Sequence, residues 1–484
     1  MATLESLRFN NAFRRLPPAF YTPMACSPLP DAKLLHINTS VARLLGLDAS
    51  ELERNDLAAI LSGAQAWPGT EPLAMVYAGH QFGIYNPELG DGRGMLLGQV
   101  QTSSGLWDLH LKGSGRTPYS RMGDGRAVLR SSLREYLASQ AMQGLGIPTS
   151  LALCLLGSQA PVQREQRETA AQILRVAPGH LRFGHFEHFF YRGEHEPLAQ
   201  LADHALEHYL PKLLEQAHPY EALLHEVVVR TADLMAAWQS VGFAHGVMNT
   251  DNMALLGYTL DYGPYAFMDS YEPGLISNHS DEGGRYAFHR QASIALWNLN
   301  ALAHAFSPLM KQQALIATLQ AYEPRFLTSY QHRMQNKLGL QQTLPGDEVL
   351  IADLLQWMAQ SSVDYNCFFR ALCDFKDSSP WAYRDELIDP AGWERWSQRY
   401  LDRLKLESTD VDARQRQMQT CNPKFVLRNY LAQRAIEAAE QGDMRETDLL
   451  IKLLSSPFDE HPGHDDYAAP PPEWGRHLDI SCSS

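Results

Sequence analysis

The chain has 484 residues, 45% hydrophobic and 10% aromatic, which is enough apolar material for more than one buried core and argues against a largely disordered polypeptide. Against 41 Lys plus Arg stand 55 Asp plus Glu, and the net charge of −14 argues against a general nucleic-acid binder, whose affinity rests on neutralising phosphates. Met1 to Phe20 lacks the apolar run of a signal peptide, and the uncharged stretch Leu234 to Thr250 carries Gln239, His245 and Asn249, which suit a soluble helix and loop. The expectation is a cytoplasmic protein with no membrane and no nucleic-acid partner.

In chain order, Leu73 to Leu111 shows short apolar runs punctuated by turns, which predicts an antiparallel sheet. Between two of its strands lies Gly90-Asp91-Gly92-Arg93-Gly94, where glycines let backbone amides approach phosphate oxygens; a plain turn explains it equally well. Lys112 ends the alternating run that follows. Gly113 to Arg126 is rich in glycine and arginine, as a phosphate cradle would be, and Ala127 to Gln140 has helical spacing and carries Glu135, placed to hold Lys112. Arg175 and Arg182 bracket Pro178-Gly179 and offer further cations. His180, His185 and His188 have a spacing that zinc sites also show, although histidines satisfied among the neighbouring phenylalanines are the simpler account.

Leu224, Val228, Met235 and Trp238 predict a helix ending at Gly242, after which Met253–Leu256 and Tyr258–Leu260 read as two short strands about Gly257. From His289 to Leu454 the pattern is mainly helical, with two helices in Lys424–Leu454 separated by Gly442-Asp443, and the Pro-rich segment after Ser456 predicts an extended tail. The six cysteines are too scattered for a disulfide framework. Cys482, close to the end, is placed where a thiol can meet a redox partner.

His245 to Asn252 has the spacing of the protein-kinase catalytic loop, and Asp261-Tyr262-Gly263 stands where a kinase places its metal-binding triplet. Asn252 and Asp261 are therefore candidate ligands for Mg2+ or Mn2+. The kinase's catalytic Asp is replaced by Val247, which cannot take a proton. Asp251 is the nearby carboxylate and the candidate base, a loop-capping role being the alternative. The expected fold is α+β, bilobal and kinase-like: a strand-rich N-lobe over 73–178 and a helical C-lobe over 179–400, preceded by an extension (1–72) packing on the core. C-terminal helices (401–456) and a tail (457–484) follow. The cations Arg93, Lys112, Arg175 and Arg182 suggest that the terminal phosphates are held under the small lobe, which leaves the α-phosphate as electrophile.

The motifs Tyr77-Ala78-Gly79-His80-Gln81-Phe82-Gly83, Leu111 to Arg121, His245 to Met253, Asn422-Pro423-Lys424 and the terminal Ser481-Cys482-Ser483-Ser484 resemble the selenoprotein O (YdiU) family of protein adenylyltransferases, over nearly the whole chain. The resemblance implies transfer of AMP from ATP to Ser, Thr or Tyr hydroxyls of proteins. It implies that Gly90, Gly92, Arg93, Lys112, Asp124, Gly125, Arg175, Arg182 and Asp261 contact the nucleotide, that Asn252 and Asp261 bind the metal, that Asp251 is the base and that Glu135 orients Lys112. A redox role for Cys482 is implied too, but some bacterial relatives carry a second Cys in the segment after the triplet, where this chain has Ser277. The competing readings are UMP transfer from UTP at the same site, a catalytically dead ATP-binding pseudokinase scaffold, and a small-molecule kinase, which Val247 disfavours.

Overall fold

Alternating apolar residues form strands when both faces of a sheet can be covered, and here both are. In a computed structural model, which describes residues 2–376, 381–476 and 478, the strands are β1 (Tyr21–Pro23), β2 (Lys33–Ile37), β3 (Leu73–Met75), β4 (Gly79–Gln81), β5 (Ile84–Asn86), β6 (Gly94–Thr102), β7 (Gly105–Lys112), β8 (Ala127–Val128), β9 (Leu151–Gln163), β10 (Arg167–Ala177), β11 (Phe243–Ala244) and β12 (Ala266–Phe267). The main sheet is antiparallel in the order β1-β3-β6-β7-β10-β9-β2, with β8 paired to β10. Strands from the first 72 residues thus occupy both of its edges.

Two short helices, α1 (Thr39–Leu44) and α2 (Leu57–Leu61), precede α3 (Leu129–Gly144). The pleat sends Leu96, Leu155 and Ile173 into one core with Leu133 and Leu137 of α3, and Met95, Leu97, Leu156 and Leu174 into another with Val41, Leu61 and Trp67. After the sheet come α4 (Phe183–Tyr191), α5 (His195–Tyr209), α6 (Pro219–Ser240), α7 (Gln291–Ala305), α8 (Gln312–Gln320) and α9 (Tyr322–Lys337). Helices α10 (Asp347–Gln360), α11 (Tyr365–Leu372), α12 (Pro390–Leu404) and α13 (Val411–Cys421) enclose a further core rich in Trp and Phe. Finally α14 (Asn429–Glu440) and α15 (Arg445–Ser455) pack back on α3, so that Gly144 lies against the Leu454 carbonyl. The chain is therefore a mixed α/β protein with one large antiparallel sheet and many helices. No helix among the described residues is long and apolar enough to cross a membrane.

Two local expectations are corrected. Met253–Leu256 and Tyr258–Leu260 do not form a hairpin, because their backbones pair elsewhere: Phe183 N donates to Met253 O and Leu255 N to Leu181 O, whereas Thr259 N donates to Pro148 O and Ser150 N to Thr259 O. The strands that do pair in this region are β11 and β12. The expected helix over Ala127–Gln140 begins at Leu129, since Ala127 and Val128 are spent on β8. Beyond Ser456, the described part of the tail folds back: Lys424 Nζ meets Glu460 Oε2 at 2.9 Å and Asp465 Oδ1 at 2.6 Å, and Tyr467 is buried.

Candidate functional site

The glycine turn is anchored from behind by a carboxylate. Asp91 is buried, accepts a hydrogen bond from Met75 N at 3.0 Å and faces His110 Nε2 at 3.3 Å. Burial alone would raise its pKa, but His110 and Arg182 hold it at about 2. Gly90 adopts φ 76°, the left-handed region that glycine enters without strain. The connection after β7 doubles back on itself, with Gly115 N donating to Gly125 O at 3.1 Å; a Cβ on Gly125 would lie 2.1 Å from the Gly115 backbone. Asp124, beside it, is ion-paired with Arg164 at 2.9 Å.

Strand β7 delivers Lys112 into the interior, where its Nζ meets Glu135 Oε2 of α3 at 2.6 Å. Glu135 is shared, since Arg175 Nε on β10 donates to its other oxygen at 2.5 Å. Arg175 also reaches Asp261 Oδ1 at 2.6 Å, and Arg182 pairs with the second oxygen of Asp261. Burial lowers the Lys112 pKa to about 8 against the pull of Glu135, whereas Glu135, which burial would raise, is held at about 2 by Arg175 and Lys112. The pair is ionised at neutral pH. Asp261 lies at φ 58°, an unfavourable conformation for a non-glycine residue, which its two arginine partners help to hold.

The loop after β11 is fixed by His245, whose ring stacks on Trp238 at 5.2 Å and whose Nε2 lies 2.8 Å from Leu260 O. Thr250–Asn252 form one 3-10 turn. Asp251 is buried there; its Oδ2 accepts from Gln81 Nε2 at 3.2 Å, and its Oδ1 has no hydrogen-bond partner. Burial raises its pKa to about 7, with Arg182 and the Gln81 bond opposing and Asp261 adding to the rise. Arg182 also donates to the Asp251 main-chain oxygen at 2.9 Å. Asn252 Nδ2 donates to Val247 O at 3.0 Å, which leaves its Oδ1 as an acceptor.

Gly90, Gly92, Arg93, Lys112, Asp124, Gly125, Arg175, Arg182, Asp251, Asn252 and Asp261 all line one cleft of about 610 Å³, with Glu135 directly behind Lys112. Its charged lining comprises the cations Arg93, Lys112, Arg121, Arg126, Arg164, Arg175 and Arg182 against the carboxylates Asp91, Asp124, Asp251 and Asp261. This is a basic pocket in an acidic chain, suited to an anion of several charges. Asn252 Oδ1 and the Asp261 carboxylate are hard oxygen donors, the chemistry that Mg2+ or Mn2+ takes, and the unpartnered Asp251 Oδ1 lies beside them on the same cleft.

His180, His185 and His188 do not converge. His180 Nδ1 lies 3.3 Å from Asp108 Oδ2, His185 Nδ1 accepts from Arg182 N at 3.0 Å, and the His188 ring meets Phe189 edge-on. No group of three or more His, Cys, Asp or Glu among the described residues is placed to hold a metal. Cys482 lies outside the described residues.

Sequence reasoning assigned no role to three residues that shape the loop. Besides Gln81, Glu187 of α4 is fully buried between His80 Nδ1, at 2.5 Å, and the Thr250 hydroxyl, while His80 N donates to Thr250 Oγ1 at 2.7 Å. The Tyr77–Gly83 motif was a visible signal, but its partner in α4 is distant in sequence.

Residues 3–455 match a family model described as protein adenylyltransferase SelO. The chain is 52% identical over 490 residues to a protein of Myxococcus xanthus described as protein nucleotidyltransferase YdiU. It is 50% identical over 486 residues to proteins of the same description from Pseudomonas aeruginosa and Stutzerimonas stutzeri, and each alignment covers 100% of both chains.

Proposed function

The chain belongs to the SelO family, the YdiU protein nucleotidyltransferases, and we propose that it transfers AMP from ATP to Ser, Thr or Tyr hydroxyls of proteins, with Asp251 as the base. In this reading the sheet and α3 act as the smaller lobe of a kinase-like, bilobal core and the helices after β10 as the larger.

The observation that carries the proposal is Asp251 itself: a buried carboxyl with one unpartnered oxygen and a pKa near 7, on a cleft whose kinase-type base position is Val247. A base poised near neutrality takes a hydroxyl proton most effectively there. The acceptor hydroxyl gives its proton to Asp251 as its oxygen bonds to the α-phosphorus, and the bond to the leaving pyrophosphate breaks. Arg93, Lys112 and Arg175 meet the negative charge of the departing phosphates, and Glu135 keeps Lys112 and Arg175 in place. Asn252 and Asp261 would hold a divalent cation, which when bound supplies electrostatic activation of the phosphates.

The test is incubation of the protein with acceptor proteins and ATP labelled at either the α or the γ position. Transfer of the α label alone, abolished in Asp251→Ala with ATP binding retained, is expected. Transfer of the γ label would overturn the reading in favour of a kinase. ATP binding without transfer of either label would favour a scaffold, and labelling from UTP in preference to ATP would replace AMP by UMP.

A further inference from the structure

The hairpin that touches Asp251 also carries an exposed apolar ledge. Strand β4 approaches the catalytic loop through His80 and Gln81, and the hairpin tip is pinned by Phe82 N donating to the Tyr286 hydroxyl at 2.9 Å. On the face it shares with Gln81, Ile84 is 75% exposed, and Phe82 at the tip is 43% exposed. On the opposite face, which carries His80, the Tyr85 ring lies 4.2 Å from that of Tyr191, itself 45% exposed, and the His80 ring bridges Tyr85 to Trp297 at 5.3 and 5.2 Å, so the apolar side chains wrap both faces of the hairpin tip. The Arg285 guanidinium sits 4.7 Å from the Trp297 ring, and its Nε has no hydrogen-bond partner.

Clustered exposed apolar side chains mark interaction sites, and Trp, Tyr and Arg are the types that most often dominate binding energy. None of Ile84, Tyr85, Tyr191, Arg285 and Trp297 lines the nucleotide cleft, whereas Phe82 and Gln81 line it and join ledge to cleft. We propose that this ledge docks the acceptor segment of the protein substrate, taking an apolar or aromatic anchor and an acidic side chain close to the modified hydroxyl. The inference rests on the adenylyl-transfer reading above.

Two observations select that occupant. Ile84 pairs with Gln81 across the hairpin and the Gln81 amide touches Asp251, so a chain lying on Ile84 and Phe82 is adjacent to the base. In addition, Arg285 makes no ion pair among the described residues, and its guanidinium lies on the Trp297 and Tyr286 rings. An acidic group on the acceptor is attracted to this unpaired charge, whereas a basic one is repelled.

The test uses the full chain with α-labelled ATP, Mg2+ and a degenerate peptide library with fixed central Ser, Thr or Tyr, and sequences the labelled peptides. The wild type is expected to enrich an apolar residue and Asp or Glu near the hydroxyl. For an enriched peptide, Ile84→Asp and Trp297→Ala should raise KM by about tenfold or more with kcat and ATP affinity unchanged. Arg285→Glu should exchange the acidic preference for a basic one, a gain that an unfolded variant could not show. Labelling without such enrichment, or enrichment that survives all three substitutions, would overturn the inference while leaving adenylyl transfer intact. Loss of ATP affinity in the variants would assign the ledge to the nucleotide and overturn it as well. ATP binding by the wild type with no label transferred to any peptide or protein would overturn adenylyl transfer itself, and the docking surface with it.

Discussion

Arg175 Nε donates to Glu135 Oε1 at 2.5 Å, so the carboxylate that holds Lys112 on one side holds a second cation on the other. All three side chains are buried. Glu135→Gln would leave Lys112 and Arg175 facing a neutral amide, with Asp261 as the nearest compensation. Removing one partner of a buried ion pair is strongly destabilising, by about 3–5 kcal/mol. Urea unfolding should therefore show a lower midpoint with an unchanged slope, and ATP affinity should fall with it.

Because burial lifts the Asp251 pKa to about 7, the form able to accept a proton is lost as pH falls through neutrality. The rate with a protein acceptor at limiting substrate should rise with pH along a limb centred near 7. Asp251→Asn should remove that limb and lower kcat by about 10²–10⁴-fold.

The same shift makes a stability statement with the opposite sense to a salt-bridged carboxylate. A folded pKa above the ordinary carboxyl value of 3.8 means that the native state binds the proton more tightly than the unfolded chain. The resulting stability is fully present below about pH 4 and is lost as pH rises through about 7. Asp251→Asn should consequently stabilise the protein at pH 8, by on the order of a few kcal/mol, and the gain should shrink toward pH 4. Thermal melts of both proteins across that range check it.

How legible the site was depended on whether its partners are close in sequence. Lys112, the Gly90–Gly94 turn and the His245–Asn252 loop stand in local patterns, and the structure brings all three to one cleft. Strands β3, β6 and β7 and the pair α14 and α15 were likewise readable from apolar spacing, whereas β1, β2, β8, β9 and β10 of the same sheet were not singled out. Contacts between distant segments were not. Nothing in the spacing of Met253–Leu260 says that its two halves pair with Leu181–Phe183 and Pro148–Ser150 in preference to each other. The double duty of Arg175 and the bridge from Glu187 to Thr250 are tertiary for the same reason. The 79–86 hairpin was hidden because its strands are three residues each, too short for a period to show.

Gly184, in the first turn of α4, supports the hairpin by its lack of a side chain. A Cβ there would lie 2.0 Å from the Ala78 carbonyl oxygen, and Ala78 N donates to Gly184 O at 3.1 Å. Gly184→Ala should push the backbone before β4 away from the loop, at about 1–3 kcal/mol of stability. Since the hairpin contacts Asp251 through Gln81, kcat should fall further than the melting temperature alone explains. Assays well below the melting transition separate the two effects.

Gln81 offers the cleanest check on what tunes the base. Its Nε2 donates to Asp251 Oδ2, a bond that favours the charged carboxylate and therefore holds the pKa down against burial. Gln81→Ala removes that donor and leaves both carboxyl oxygens without a side-chain partner, so the acid limb of the rate profile should move to higher pH. Activity should then be partly recovered by raising the pH, which a misplaced loop would not allow. Gln81→Glu should move the limb further still, because a carboxylate beside Asp251 disfavours its ionisation in addition to withdrawing the hydrogen bond. A limb that stays in place in both variants would show that Gln81 holds the hairpin to the loop without setting the proton affinity of the base.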